Sequence, residues 1–158
     1  MLTVHHLDNS RSQRVLWLLE ELGVPYEIVK YQRDPKTMLA PVELQKIHPL
    51  GKSPVITDDG KTIAESAVIL EYISDKYGRD RLVPAKDSPE FWRNRYFMHY
   101  AEGSLTPILL VKLITTKLKT APGLARPLAK AVGKKVEAAF VTPNIARHVT
   151  FLVSELGS

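Results

Sequence analysis

The chain has 158 residues, no cysteine, and a formal net charge of +5 at neutral pH with 44% hydrophobic residues. Disulfides, thiol redox pairs, cysteine nucleophiles and thiolate metal sites are therefore excluded, and the apolar content is too high for a disordered chain. No apolar run approaches the roughly 18–20 residues that cross a bilayer, and no basic-then-apolar leader opens the sequence, so a chain in the cytoplasm without a membrane partner is expected.

Leu2 to Leu7 reads as a short buried strand, punctuated by Asp8-Asn9-Ser10. Val15, Leu16, Leu18, Leu19 and Leu22 then recur at helical spacing, and Gly23 with Pro25 ends that helix. Residues 26–31 (YEIVKY) alternate as a strand. Pro41 opens a short helix through Ile47, and His48-Pro49-Leu50-Gly51 is a loop. Residues 54–57 read as a strand, Asp59-Gly60 as a hairpin turn, and 61–64 as its return strand. Ser66 is placed to cap a helix striped by Ile69, Leu70, Ile73 and Tyr77 and stopped by Gly78.

The expected order over residues 1–78 is β-α-β-α-β-β-α. Its first two strands flank a helix and are expected to run parallel; the last two form a hairpin. Residues 79–88 are charged, contain Pro84 and read as a linker. From Ser88-Pro89-Glu90 onward, residues 89–158 show helical patterning without strand alternation. One helix is expected over about 89–119, bent near Gly103 or Pro107. Thr120-Ala121-Pro122-Gly123 interrupts it, a second helix covers 124–140, and Thr142-Pro143 restarts a third, which Gly157 ends. Three helical stretches make a thin core, so this all-α part reads as incomplete.

The excess positive charge lies late, on Lys112, Lys117, Lys119, Arg126, Lys130, Lys134 and Lys135. Such a run suits nucleic acid or an anionic surface, but no aromatics interleave with it for base stacking. A solvated helix face is the expectation, with no nucleic-acid partner. His5, His6, His48, His99 and His148 show no metal-ligand spacing, and no metal is expected.

Three helix starts carry the chemistry. Ser10 with Gln13 would form a capping box; the same hydroxyl at a helix N-terminus could donate to a thiolate, which the helix dipole also favours. A serine nucleophile is not supported. It would need a base and an orienting acid, His5 and His6 point to opposite faces of their strand, and there is no nucleophile elbow. Ser53-Pro54 is either a strand start or a cis-proline that frees the Ser53 backbone to pair with an extended peptide. Ser66 and its N–H could hold a carboxylate, Glu65 an ammonium, and Lys52 a second carboxylate. Trp92, Tyr96, His99 and Tyr100 lie on the long helix. They read as packing residues, and Tyr96, His99 and Tyr100 are candidates to line an apolar acceptor pocket.

The segments HHLDNSRSQRVLWLLEELGVPYEIVKY, HPLGKSPVITDDGKTIAESAVILEYI and RNRYFMHYAEGSLTP resemble the cytosolic glutathione transferases, in particular the bacterial and fungal kind with a serine at the first helix. The resemblance implies a thioredoxin-like glutathione-binding domain, then an all-α domain that continues further in the family, and usually a homodimer. It implies that Ser10 activates the thiol, with Asn9 and Ser12 as neighbouring alternatives. Ser53 precedes the structural cis-proline Pro54 and pairs with the cysteine of glutathione; Lys52 meets its glycine end; Glu65 and Ser66 hold its γ-glutamyl head. Glutathione is then a co-substrate, and the reaction is attack of its thiolate on a small electrophile, as in detoxification. Glutathione peroxidase activity uses the same thiolate. The alternative is a non-catalytic module of the same fold, used for dimerisation or protein contact.

Overall fold

A computed structural model describes residues 1–79, 81–120 and 122–157. The chain divides into two compact units, Met1–Arg95 and Tyr96–Ser158, the division falling inside a helix.

The first unit is built on a four-stranded mixed sheet of order β2-β1-β3-β4. Strand β1 (Thr3–Leu7) pairs in parallel with β2 (Glu27–Tyr31) and antiparallel with β3 (Val55–Asp58), and β3 pairs antiparallel with β4 (Lys61–Ala64). Helix α1 (Ser12–Leu22) joins the parallel strands, α2 (Val42–Ile47) follows β2, and α3 (Ser66–Tyr77) follows β4. The expected β-α-β-α-β-β-α order is therefore the observed one, with the parallel pair and the hairpin where the patterning puts them.

Alternation along the strands explains the core. Leu2 and Val4 of the first strand region, with Ile56 of β3, face α1 and α3, which supply Val15, Leu19, Leu22, Ile69 and Ile73 to one buried cluster. His5 and Leu7 have the opposite parity to Val4; they are buried outside that cluster, as are Val55 and Leu44 of α2. Gly23 ends α1 in the left-handed conformation, φ 66°, and its N–H and that of Val24 satisfy the last carbonyls of the helix. Trp17, on the outer face of α1, is exposed and donates to Glu21.

A buried carboxylate ties the hairpin to α3. Asp58 Oδ2 accepts from Tyr72 Oη at 2.9 Å, Tyr77 Oη at 2.7 Å and Lys76 Nζ at 2.6 Å. Burial pushes this carboxyl up, but the donors from Lys76, Tyr77 and Tyr72 outweigh it and hold it below the ordinary carboxylate value.

The second unit is helical. Helix α4 (Glu90–Tyr100) runs through the π-helical turn Ala101–Leu105 into α5 (Thr106–Lys119), so the expected bend near Gly103 is a widened turn. Helix α6 (Arg126–Val136) likewise passes through a π-helical turn, Glu137–Val141, into α7 (Thr142–Leu156). Thr142-Pro143 therefore opens the last α-helical segment, as expected, and Gly157 follows its end, but the winding is continuous through the π-turn rather than broken before Thr142. Pro143 is the second residue of that segment, in the first turn, where proline is tolerated. Gly133 lets α6 approach α5 closely, since a Cβ there would lie 3.1 Å from the Thr115 carbonyl oxygen. Glu137 draws both Lys112 and Lys119 of α5 into ion pairs, so part of the basic run is neutralised within its own unit. The expected interruption of the helix at 120–123 falls between the end of α5 at Lys119 and the start of α6 at Arg126; Ala121 within it, the linker position Asp80 and the terminal Ser158 lie outside the described residues. Among those residues no helix is long and apolar enough to cross a membrane.

Candidate functional site

Ser10 stands in the turn between β1 and α1. Asn9 takes a left-handed backbone, φ 52°, which asparagine tolerates better than most residues. Arg33, just past β2, clamps this turn. Its guanidinium donates to the carbonyls of Asp8 at 2.9 Å, Asn9 at 3.3 Å and Met38 at 3.0 Å. A planar five-donor group can hold three carbonyls at once; a lysine could not hold them in the same fixed fork.

The capping box expected of Ser10 and Gln13 does not form. Arg11 occupies the capping position in a helical conformation and supplies no side-chain cap. The Ser10 hydroxyl is used elsewhere. Its Oγ lies 2.7 Å from Ser12 Oγ, accepts from the Ser12 N–H at 3.3 Å and donates to Ser53 Oγ at 3.2 Å. Ser53 Oγ donates in turn to the His5 carbonyl at 2.9 Å. Ser12 is fully buried, and its Oγ lies 2.8 Å from His6 Nδ1.

The two histidines of β1 do separate by face, as alternation requires. His5 is buried between Tyr31 Oη, 3.0 Å from its Nδ1, and Thr57 Oγ1, 3.3 Å from its Nε2. Desolvation pushes its pKa down from the ordinary 6.5. His6 turns the other way, towards the start of α1, and its Nε2 lies 3.9 Å from Asp8 Oδ1.

Lys52, Ser53, Pro54, Glu65 and Ser66, together with Arg11, line a single open cleft of about 40 Å³. The Ser53–Pro54 peptide bond is cis. Glu65 caps α3 with an unusual backbone for a residue bearing a Cβ, φ 72° and ψ 125°. Such conformations cost about 1–3 kcal/mol and collect at ligand clamps. Ser66 is not the cap that the sequence suggested; it is the first helical residue, buried, and no acidic side chain follows it in the first turn. With Glu65 rather than Ser66 in the left-handed position, the chain turns so that the α3 N-terminus opens onto the cleft.

The cleft is shallow, so it suits a charged head group rather than a whole apolar molecule. It brings together two cations (Lys52 and Arg11), one carboxylate (Glu65) and the positive end of α3. That set complements a zwitterion with an additional carboxylate.

Ser12 was singled out from sequence only as an alternative to Ser10; Arg11, His6 and Arg33 were not singled out as site residues. Arg11 adjoins Ser10 and could have been found by proximity; His6 and Arg33 reach the site only through the fold.

Tyr96, His99 and Tyr100 belong to the second unit. Tyr100 is buried, its hydroxyl 2.7 Å from His148 Nδ1, and packs with Tyr96, Phe97 and Phe151. Tyr96 and His99 are exposed.

Residues 10–76 match the family model described as glutathione S-transferase, N-terminal domain. Glutathione S-transferase 1 of Saccharomyces cerevisiae is 36% identical over 165 aligned positions, covering 99% of this chain and 70% of that protein. The chain belongs to the glutathione transferase family. Glutathione S-transferase 3 of Schizosaccharomyces pombe is 35% identical, covering the whole chain and 65% of that protein. A solved glutathione S-transferase from Actinobacillus pleuropneumoniae superposes with a TM-score of 0.67 at 32% identity, over 87% of this chain and 63% of that one. The chain thus spans about two thirds of the length of these transferases. Its first unit is the thioredoxin-like half of the family fold, and its second unit belongs to the helical half.

Proposed function

We propose that the protein is a glutathione transferase that binds glutathione in the cleft of the first unit and presents its thiolate to a small electrophile. The observation that carries this reading is the meeting of Ser10 with Ser53, at 3.2 Å, beside a cleft lined by Lys52, Glu65 and Ser66. Glu65 would take the γ-glutamyl ammonium. The Ser66 hydroxyl and the α3 N-terminus would take the carboxylate on the same carbon. Lys52, with Arg11 near it, would take the glycine carboxylate, and the Ser53 backbone would pair with the cysteine residue. These contacts are charge-assisted and fix the tripeptide at both ends, which leaves its thiol with few orientations.

Ser10 acts here as a donor and not as a base. Two donors on Ser12, its N–H and its O–H, would occupy the lone pairs of Ser10 Oγ, which leaves the Ser10 proton to give. A hydroxyl donating to sulfur stabilises the thiolate over the thiol, so the bound pKa falls below the free value of about 8.5 and the proton leaves to solvent. The thiolate then forms the bond to the electrophilic carbon as that carbon expels its leaving group, or as its π electron pair shifts and takes a proton from solvent, and the protein makes no covalent intermediate. A homodimer working in the cytoplasm is part of the reading and rests on family membership alone.

The test is the ultraviolet thiolate absorbance of glutathione bound to the purified protein, scanned across pH. A titration midpoint well below that of free glutathione is expected. Binding with an unshifted midpoint would overturn the transferase reading and leave a glutathione-binding module without catalysis.

A further inference from the structure

The hydroxyls around Ser10 form a chain whose direction is set by counting protons. The His5 carbonyl can only accept, so the Ser53 hydroxyl spends its one proton there, at 2.9 Å. Ser53 Oγ must then accept from Ser10, at 3.2 Å. Ser10 has now spent its proton, so the contact of 2.7 Å between Ser10 and Ser12 requires Ser12 to donate. Ser12 has in turn spent its proton, so the 2.8 Å contact to His6 Nδ1 requires the ring nitrogen to carry one. Both the neutral Nδ1–H tautomer and the imidazolium satisfy this requirement; the Nε2–H tautomer does not.

We propose that His6 and Ser12 are positioning residues for Ser10, a buried relay that orients and polarises its hydroxyl for donation to a ligand thiolate. The relay runs from His6 Nδ1–H to Ser12 Oγ, to Ser10 Oγ, to Ser53 Oγ and to the His5 carbonyl. Each accepted bond strengthens the next donation, so the imidazole N–H at one end makes Ser10 a better donor at the other. The Ser10–Ser53 link is the longest side-chain bond in the relay. It is the link that breaks when a thiolate arrives: Ser10 rotates its proton to sulfur while Ser12 continues to hold its lone pairs. Ser12 is fully buried and the His6 side chain is 15% exposed, so water has no access to the Ser12 hydroxyl and little to the ring. This role for the relay rests on the reading that Ser10 meets the thiolate of glutathione.

Two measurements test it. The first is the nitrogen-15 spectrum of the His6 ring in the ligand-free protein, assigned through His6→Asn. A proton on Nδ1 is expected, and a neutral ring protonated only at Nε2 would overturn the relay. The second is the thiolate titration of bound glutathione in Ser12→Ala, His6→Leu and His6→Asn. Ser12→Ala and His6→Leu should raise the midpoint by about half to one pH unit with unchanged glutathione affinity in acid. His6→Asn, whose side-chain amide can donate from near the Nδ1 position, should recover most of the loss. A wild-type midpoint in Ser12→Ala would overturn the relay. A wild-type protein that leaves the thiol at its free value would instead overturn the transferase reading, and the ring spectrum would still decide whether the relay exists.

Discussion

The hydroxyls of Ser10 and Ser53 lie 3.2 Å apart although the two residues are forty-three positions apart in the chain. The reason is strand pairing. β1 and β3 are antiparallel neighbours, with His5 opposite Val55, so the residues that leave β1 and those that enter β3 meet at the same end of the sheet. A helix start and the turn before an edge of the hairpin are thereby delivered to one place.

Replacing Ser10 with alanine separates its two roles. The thiolate loses its donor, and conjugation at neutral pH should fall by roughly 10²-fold, the scale seen when one donor to a developing anion is removed. Stability should change by only about 1 kcal/mol, since the hydroxyl makes ordinary hydrogen bonds. Steady-state rates with a chromogenic electrophile, alongside urea unfolding, measure both; an unchanged rate would remove Ser10 from the mechanism.

Glu65 should give opposite signs for stability and binding. A glycine at its φ of 72° carries no Cβ strain, so Glu65→Gly should raise stability by about 1 kcal/mol. The same change deletes the carboxylate proposed to hold the γ-glutamyl ammonium. Glutathione affinity should fall by about tenfold, the worth of one charge-assisted contact. Calorimetric titration and thermal unfolding on one preparation would check the pair; a parallel loss of both would mean that the backbone is not strained.

Asp58 holds α3, and with it Glu65 and Ser66, against the sheet. Among the described residues its Oδ1 has no hydrogen-bond partner while Oδ2 takes three donors, so the carboxylate is committed to the Lys76 side. Asp58→Asn removes the counter-charge and keeps the shape. It should destabilise the first unit by about 3 kcal/mol, as breaking a buried ion pair does. A urea midpoint within experimental error of wild type would show that Asp59, the other partner of Lys76, suffices.

His5 makes stability sensitive to mild acid. Its pKa is depressed by burial in the folded chain, so below pH 6.5 the unfolded chain binds a proton that the folded chain does not. This contribution to stability is complete above pH 6.5 and is lost as pH falls from there through the folded pKa. His5→Gln keeps a polar side chain between Tyr31 and Thr57 and removes the titration. The wild-type minus variant difference in unfolding free energy should decrease on acidification, with a slope no steeper than about 1.4 kcal/mol per pH unit. A difference that stays flat between pH 7 and 5 would mean that His5 protonates in place.

Much of the fold was legible because strand alternation and helical spacing are local signals. Val4 and Ile56 alternate into the core, and Val15, Leu19 and Leu22 repeat on one helix face. The Asp59-Gly60 turn marks the hairpin, and both of its residues take positive φ. The helical part was less legible. Its π-helical turns at Ala101–Leu105 and Glu137–Val141 continue the chain through places where Gly103 and Pro143 suggest a bend or a stop, because one wider turn absorbs what sequence reads as an interruption.

The sequence by itself determined the family, the element order of the first unit and the residue types that a thiol tripeptide needs: Ser10, Lys52, Ser53, Glu65 and Ser66. Tertiary structure alone decided how they are used. Whether Ser10 caps its helix or turns to Ser53, whether Ser66 or Glu65 begins α3, and whether His6 or His5 reaches the site depend on partners in other strands and helices. A hydroxyl has one proton and two lone pairs, and local sequence offers it several neighbours of similar worth. Only the pairing of β1 with β3 and the packing of α1 on the sheet bring the partners that claim them.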